Sequence, residues 1–222
     1  MRLFLFSLVF SLCCALYGQE SSKLQALSIP SELGEGADAV IREDRLTFTV
    51  EDPGRAETHR RQVVTLLKAD ERFQTFGVAY DETREKVRDF ELTLYDALGR
   101  KVKSLKNRDI QDVSAVSEGS LYESRRVRMG EIQHHRYPYT VVWEYTLQSK
   151  GITGYPNWSI PFGTSVEEAL FTVEVPADIR LQTRSRGLNI KPRIYHDDTK
   201  IGYQWKIEEI PAIPYEPMAP SN

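Results

Sequence analysis

The run Thr140-Val141-Val142-Trp143-Glu144-Tyr145-Thr146-Leu147 decides the fold class of this 222-residue chain. It is dense in β-branched and aromatic side chains, which pack well on a pleated, half-buried surface. Upstream, Lys86 to Tyr95 alternates through Val87, Phe90, Leu92 and Leu94, the period of a strand with one buried face. Asp96-Ala97-Leu98-Gly99 supplies a turn. Lys101-Val102-Lys103-Ser104-Leu105 then returns as the second arm of a hairpin.

The same texture extends in both directions. Ala39, Ile41, Leu46, Phe48 and Val50 are interleaved with charged and polar residues. Glu51-Asp52-Pro53-Gly54 breaks that pattern, and His59 to Leu67 forms a returning strand. Asp70 to Phe76 has a brief helical look. Arg125 to Met129, Glu167 to Val175, Arg180 to Arg186, Arg193 to His196 and Ile201 to Ile207 read as further strands. Pro176 closes one of them, and Asp197-Asp198-Thr199-Lys200 turns the last pair. Short alternating strands with turns about every 8–12 residues predict an all-β chain. The expected architecture is an antiparallel β-sandwich, immunoglobulin-like in the broad sense.

Residues 1–18 read as a signal peptide: Arg2, an apolar run from Leu3 to Leu16, and a small residue, Gly18, before Gln19-Glu20. The run is shorter than the ~20 residues a membrane span needs, so no transmembrane segment is expected after cleavage. The chain is expected in the periplasm or outside the cell. Both cysteines, Cys13 and Cys14, fall inside this segment. The exported protein is therefore expected to lack disulfides, thiolate metal ligands and a cysteine nucleophile. Residues 19–36 form a polar lead-in with one helical turn near Ser31-Glu32-Leu33. Residues 37–209 form the sandwich domain. Residues 210–222, with Pro211, Pro214 and Pro217, form an extended tail or linker. A net charge of −3 argues against nucleic-acid binding, which wants a basic surface.

Several strings are distinctive together. They are Asp112-Val113-Ser114-Ala115-Val116-Ser117 with Leu121-Tyr122-Glu123; Tyr137-Pro138-Tyr139-Thr140-Val141 before Trp143-Glu144-Tyr145; Tyr155-Pro156-Asn157-Trp158; Leu94-Tyr95-Asp96 before Gly99; and Ile210-Pro211-Ala212-Ile213-Pro214-Tyr215-Glu216-Pro217. The set resembles the bacterial domain of unknown function that precedes transglutaminase-like domains in exported proteins of Bacteroidetes-type bacteria. The resemblance runs from about Ser31 to Pro220. It implies an antiparallel sandwich, and a neighbouring domain with a Cys-His-Asp triad whose thiolate attacks an amide carbonyl. The matched region carries no residue of that triad, and the sequence reaches Asn222 about where the catalytic domain is expected to begin.

Other constellations point to binding rather than chemistry. His134-His135 would face opposite sides of a strand, and neither Glu131 nor the isolated His59 and His196 completes a metal set. No serine sits in a Gly-x-Ser-x-Gly elbow. No cofactor or metal is expected. In Arg125-Arg126-Val127-Arg128, alternation places Arg126 and Arg128 on one face, either to meet an acidic partner or to keep an edge strand soluble. Tyr155 and Trp158 form an aromatic loop suited to a protein or a sugar ring. Tyr137 completes the candidate surface.

Three functions are expected from these residues. The chain is a non-catalytic exported module with a protein partner or a transglutaminase-like domain; or the N-terminal fragment of a transglutaminase-like cysteine protease or amidase; or a glycan-binding module.

Overall fold

A computed structural model describes residues 22–115, 124–151, 156, 163–184 and 190–213. The expected signal peptide and its two cysteines lie outside the described residues. The described residues form eleven strands: β1 (Ala39–Asp52), β2 (Arg55–Leu66), β3 (Thr75–Asp81), β4 (Glu85–Tyr95), β5 (Lys101–Leu105), β6 (Gln111–Ser114), β7 (Arg125–Glu131), β8 (Tyr139–Lys150), β9 (Thr164–Pro176), β10 (Arg193–His196) and β11 (Lys200–Ile210). One four-residue helix, α1 (Ser31–Gly34), lies where the lead-in was expected to turn. No described helix is long and apolar enough to cross a membrane.

The strands form two unequal layers. Eight make a sheet in the order β10-β11-β9-β1-β2-β8-β4-β5, and three make a sheet in the order β3-β7-β6. The fold is a sandwich-like, mostly antiparallel all-β structure. One contact departs from the antiparallel expectation: β1 and β9 run parallel, with Phe48 opposite Val173. Alternation is blind to direction, because a half-buried strand buries every second residue whichever way its neighbour runs.

The apolar positions of the opening run meet between the layers. Tyr139, Val141, Trp143 and Tyr145 of β8 are buried with Phe76 and Val78 of β3 and with Val87, Phe90, Leu92 and Leu94 of β4. Trp143 is central. Its ring lies 5.7 Å from Phe76, 6.3 Å from Phe90 and 5.1 Å from Tyr145. Burying one such side chain contributes about 1.5–3 kcal/mol.

A second cluster covers the wing that the small sheet does not reach. Phe48, Val50, Val173, Val175, Ile201 and Tyr203 are capped by Ile179 and Leu181. This corrects the expected strand at Arg180 to Arg186. Its described part, through Arg184, forms no strand. Apolar residues at 179 and 181 have the strand period, but they lie over the sheet and not within it. The Leu181 amide bonds the Tyr203 hydroxyl at 3.3 Å instead of a ladder partner.

The lead-in is part of the fold. A bulge between Ile41 and Glu43 leaves Arg42 without a direct partner on β2 and turns Arg42 and Glu43 to the same outer face. Arg42 is 1% exposed. Its Nε bonds Glu167, and its Nη atoms reach the Gln25 carbonyl at 2.9 Å and the Ser28 hydroxyl at 2.9 Å. Lys23 bridges Glu43 and Glu168 at 3.6 and 3.4 Å. Leu33, Ala37 and Val40 close a small apolar cluster beneath α1. The polar look of residues 22–36 therefore conceals a segment held against the main sheet by buried charge.

Candidate functional site

Arg126 and Arg128 share one face of β7, as alternation predicted. However, β7 is the middle strand of the small sheet, not an edge, and its arginines are engaged within the fold. Arg126 bonds Asp112 of β6 through Nε at 2.8 Å and lies 3.6 Å from Glu82. Tyr80 of β3 donates its hydroxyl to the other Asp112 oxygen at 2.8 Å. Burial, and then this bond to a carboxylate, raise the Tyr80 pKa above its ordinary value. The Asp112 bond likewise raises that of Arg126. Arg128 donates to the Val87 carbonyl at 3.1 Å. The basic run thus ties the two sheets together at β4.

That tie frames a cleft of about 760 Å³. Strand β5 pairs with β4 only from Leu92 to Tyr95. Below that point no described strand pairs with this edge of β4, and the cleft runs around it, lined by residues of β4, the β1–β2 hairpin, the end of β8, and Tyr80, Asp112 and Arg128. A neighbouring cleft of about 520 Å³ shares Tyr80, Arg84, Glu85 and Ser149 and reaches Pro156 of the aromatic loop. Tyr155 and Trp158 themselves lie outside the described residues, and the glycan expectation with them.

Tyr137 lies at the other end of β4, at the mouth of a hollow of about 570 Å³. Its ring packs tilted against that of Tyr139, 5.1 Å away. Burial, and then Tyr137, push the Tyr139 pKa up to about 12. Leu98, Val102 and Tyr137, which are 53%, 50% and 38% exposed, line this hollow, so Tyr137 belongs to an apolar surface patch. His134 accepts the Arg136 amide at 3.0 Å through Nδ1 and so closes a local turn. No group of three or more metal-ligating side chains occurs among the described residues.

The hydroxyl and imidazole groups are used locally. Ser149 bonds Glu85 at 3.3 Å, Thr83 bonds Asp81 at 2.6 Å, and His59 faces Glu144 at 3.0 Å across β2 and β8. The Glu144 bond raises the His59 pKa, and the His59 bond lowers that of Glu144. The His59 contribution is fully present below the unfolded histidine value of 6.5 and is lost as pH rises through its raised folded value. The Glu144 contribution is present above 4.5 and is lost as pH falls through its lowered folded value. The pair is therefore strongest from about pH 4.5 to 6.5. Both side chains are over 40% exposed, so its worth is at most about 1 kcal/mol. His59→Gln is expected to flatten this part of the stability–pH curve, measured by urea denaturation at pH 5.5 and 8.5. An equal loss at both pH values would show that the ion pair contributes nothing.

Residues 52–214 match the domain of unknown function DUF3857. The chain belongs to the DUF3857 family. The described strands from β2 through β11 fall inside this match, so both clefts and the Tyr137 hollow are built largely from family sequence. No curated protein matches the chain. Among solved structures, this DUF3857 member is similar to a protein described as a putative protease from Parabacteroides distasonis, at 17% identity and a TM-score of 0.72. The match covers 83% of this chain and 38% of that one. An M1 zinc metallopeptidase from Deinococcus radiodurans matches at 12% identity and a TM-score of 0.36, over 76% of this chain and 39% of that one. The chain thus spans well under half the length of the solved structures it resembles, and the first likeness establishes a shared fold.

Proposed function

We propose that this DUF3857 member is an exported, non-catalytic sandwich module whose work is to contact a protein partner, and that the partner is a transglutaminase-like domain. The observation that carries this reading is the lopsided structural match. A fold covering 83% of this chain occupies 38% of a protein described as a putative protease, which fits a module working beside a separate catalytic part. The use of the polar groups supports the non-catalytic half. His59 is committed to Glu144 and Ser149 to Glu85, on opposite faces of β8, so neither activates the other as a nucleophile and base must. The Tyr137 hollow and the charged cleft supply contact surfaces. Export is supported by the sequence of residues 1–18.

The test is to incubate the protein, begun at Gln19, with glutamine- and lysine-containing peptides. It is expected to leave them uncleaved and uncross-linked, and to co-elute with a transglutaminase-like domain encoded in the same genome. Amide turnover by the chain alone would overturn the proposal. The same lopsided match favours a second reading, in which the chain is the N-terminal part of a transglutaminase-like cysteine protease or amidase. The coding sequence after codon 222 decides between them: a Cys-His-Asp domain in frame supports the second, and an unrelated gene removes it.

A further inference from the structure

We propose that the cleft around the open edge of β4 binds an acidic peptide segment. This rests on the reading of the chain as a protein-contact module, and it names the chemistry of the segment recognised. Three strands bring cations side by side. Arg55 of β2 stands opposite Lys150 of β8, and the Lys150 amide bonds the Arg84 carbonyl at 2.8 Å. The row therefore continues onto the chain entering β4, and Lys86, two residues on, shares the Arg84 face. Like charges directly opposite on a sheet destabilise it, and here they go largely unanswered. Arg55 is met by Asp52 and Glu51 at 3.0 and 3.5 Å. Arg84, Lys86, Arg88 and Lys150 form no ion pair among the described residues, and Arg88 bonds only the neutral Gln148, at 3.3 Å.

Three of the five carboxylates lining the same cleft are ion-paired. Glu51 serves Arg55, and Glu82 and Asp112 serve Arg126. Glu57 accepts from Gln148 at 3.1 Å, and Glu85 accepts the Asp81 amide at 2.7 Å. Their donors are neutral, so Glu57 and Glu85 keep their charge, and the lining sets four cations without an ion pair among the described residues, Arg84, Lys86, Arg88 and Lys150, against two such carboxylates. An arriving carboxylate relieves the repulsion between Arg84 and Lys150.

A peptide fits better than a nucleic acid. The cationic row is interrupted by Glu57 and bounded by Glu82 and Glu85, which repel the unbroken charge of a phosphate backbone. A peptide places its carboxylates at intervals and offers amide donors to the glutamates between them.

The experiment is fluorescence anisotropy with the full chain and a dye-labelled peptide of alternating glutamate and glycine, at low and physiological salt. Binding is expected to weaken with salt. It should fall about tenfold in Lys86→Gln/Lys150→Gln, the loss expected from two partly exposed pairs. Lys101→Gln/Lys103→Gln on β5 should leave it unchanged. The charge-reversed variant Lys86→Glu/Lys150→Glu should instead prefer the matching lysine peptide, a gain that a misfolded protein could not show. No binding, equal loss in the β5 variant, or tighter binding of a DNA oligonucleotide of equal charge would each overturn the proposal. Any of these without amide turnover leaves the module reading standing, so the two fail separately.

Discussion

Arg42→Ala is expected to lower stability by about 2–4 kcal/mol, through the charge-assisted bonds and the packing of a buried guanidinium, and to free residues 22–36 from the main sheet. Arg42 has the largest of the fully buried side chains among the described residues. Its loss leaves the Glu167 carboxylate without its guanidinium and the Gln25 carbonyl without its 2.9 Å donor. Gln25 is exposed and the Glu167 side chain is 23% exposed, so water meets part of their need, and the cost lies in the lost bonds to a charged donor, about 1.5–3 kcal/mol, and in the cavity left behind. Lys23 remains as the segment's other charged tie, through its ion pairs to Glu43 and Glu168. Trypsin reports the release directly. Lys23 is buried in the native protein, so cleavage after it should appear in the variant at urea concentrations where the parent is intact. Arg42→Met paired with Glu167→Leu should recover much of the loss, since apolar replacement of a buried pair is often neutral. An unchanged urea midpoint with Lys23 still protected would mean that Leu33 and Ala37, not the charges, hold the segment.

The difference between what the sequence revealed and what it concealed follows from the range of the interactions. Hairpins are local. The β1–β2 turn at Pro53-Gly54 and the β4–β5 turn at Asp96 to Gly99 were legible because turn chemistry and flanking alternation lie within a few residues. The buried face of β8 was legible for the same reason. Arg42-Glu43-Asp44-Arg45 reads as a solvated run, yet its first three members are buried. Their neutralising partners are remote: Glu167 is 125 positions from Arg42, and Glu168 is 145 from Lys23. No local pattern announces a charge whose partner lies two-thirds of the chain away. The candidate site divides in the same way. Alternation correctly put Arg126 and Arg128 together. It could not show that β3 and β6 flank them, or that Asp112 and the Val87 carbonyl engage them. The row of Arg55, Lys150 and Arg84 depends on the register of three strands, which the sequence does not print.

Asp44→Ala is expected to cost about 3–5 kcal/mol, through the interior between the layers. Asp44 is 2% exposed. It holds Arg60 through two bonds, at 3.0 and 2.7 Å, and Gln62 at 3.1 Å. Burial is the largest influence on Arg60 and opposes its charge, but the Asp44 bond and charge together with Tyr145 outweigh it and raise the Arg60 pKa. Removing Asp44 therefore leaves a charged guanidinium that cannot neutralise itself. It lies 5.5 Å over the Trp143 ring. That contact is worth about 2 kcal/mol at best, less than the unpaired charge costs. Repositioning Arg60 would disturb the stack of Trp143 on Phe76, Phe90 and Tyr145, so near-ultraviolet dichroism should change along with the midpoint. At roughly 2–4 °C per kcal/mol for a chain of this size, the melting temperature should fall by about 10 °C. Asp44→Asn should lie between, because it keeps an acceptor for Arg60 but no charge. If Asp44→Ala instead costs under about 1 kcal/mol, the range of an exposed pair, then Arg60 has swung its guanidinium into solvent and the aromatic core around Trp143 holds the layers together without it.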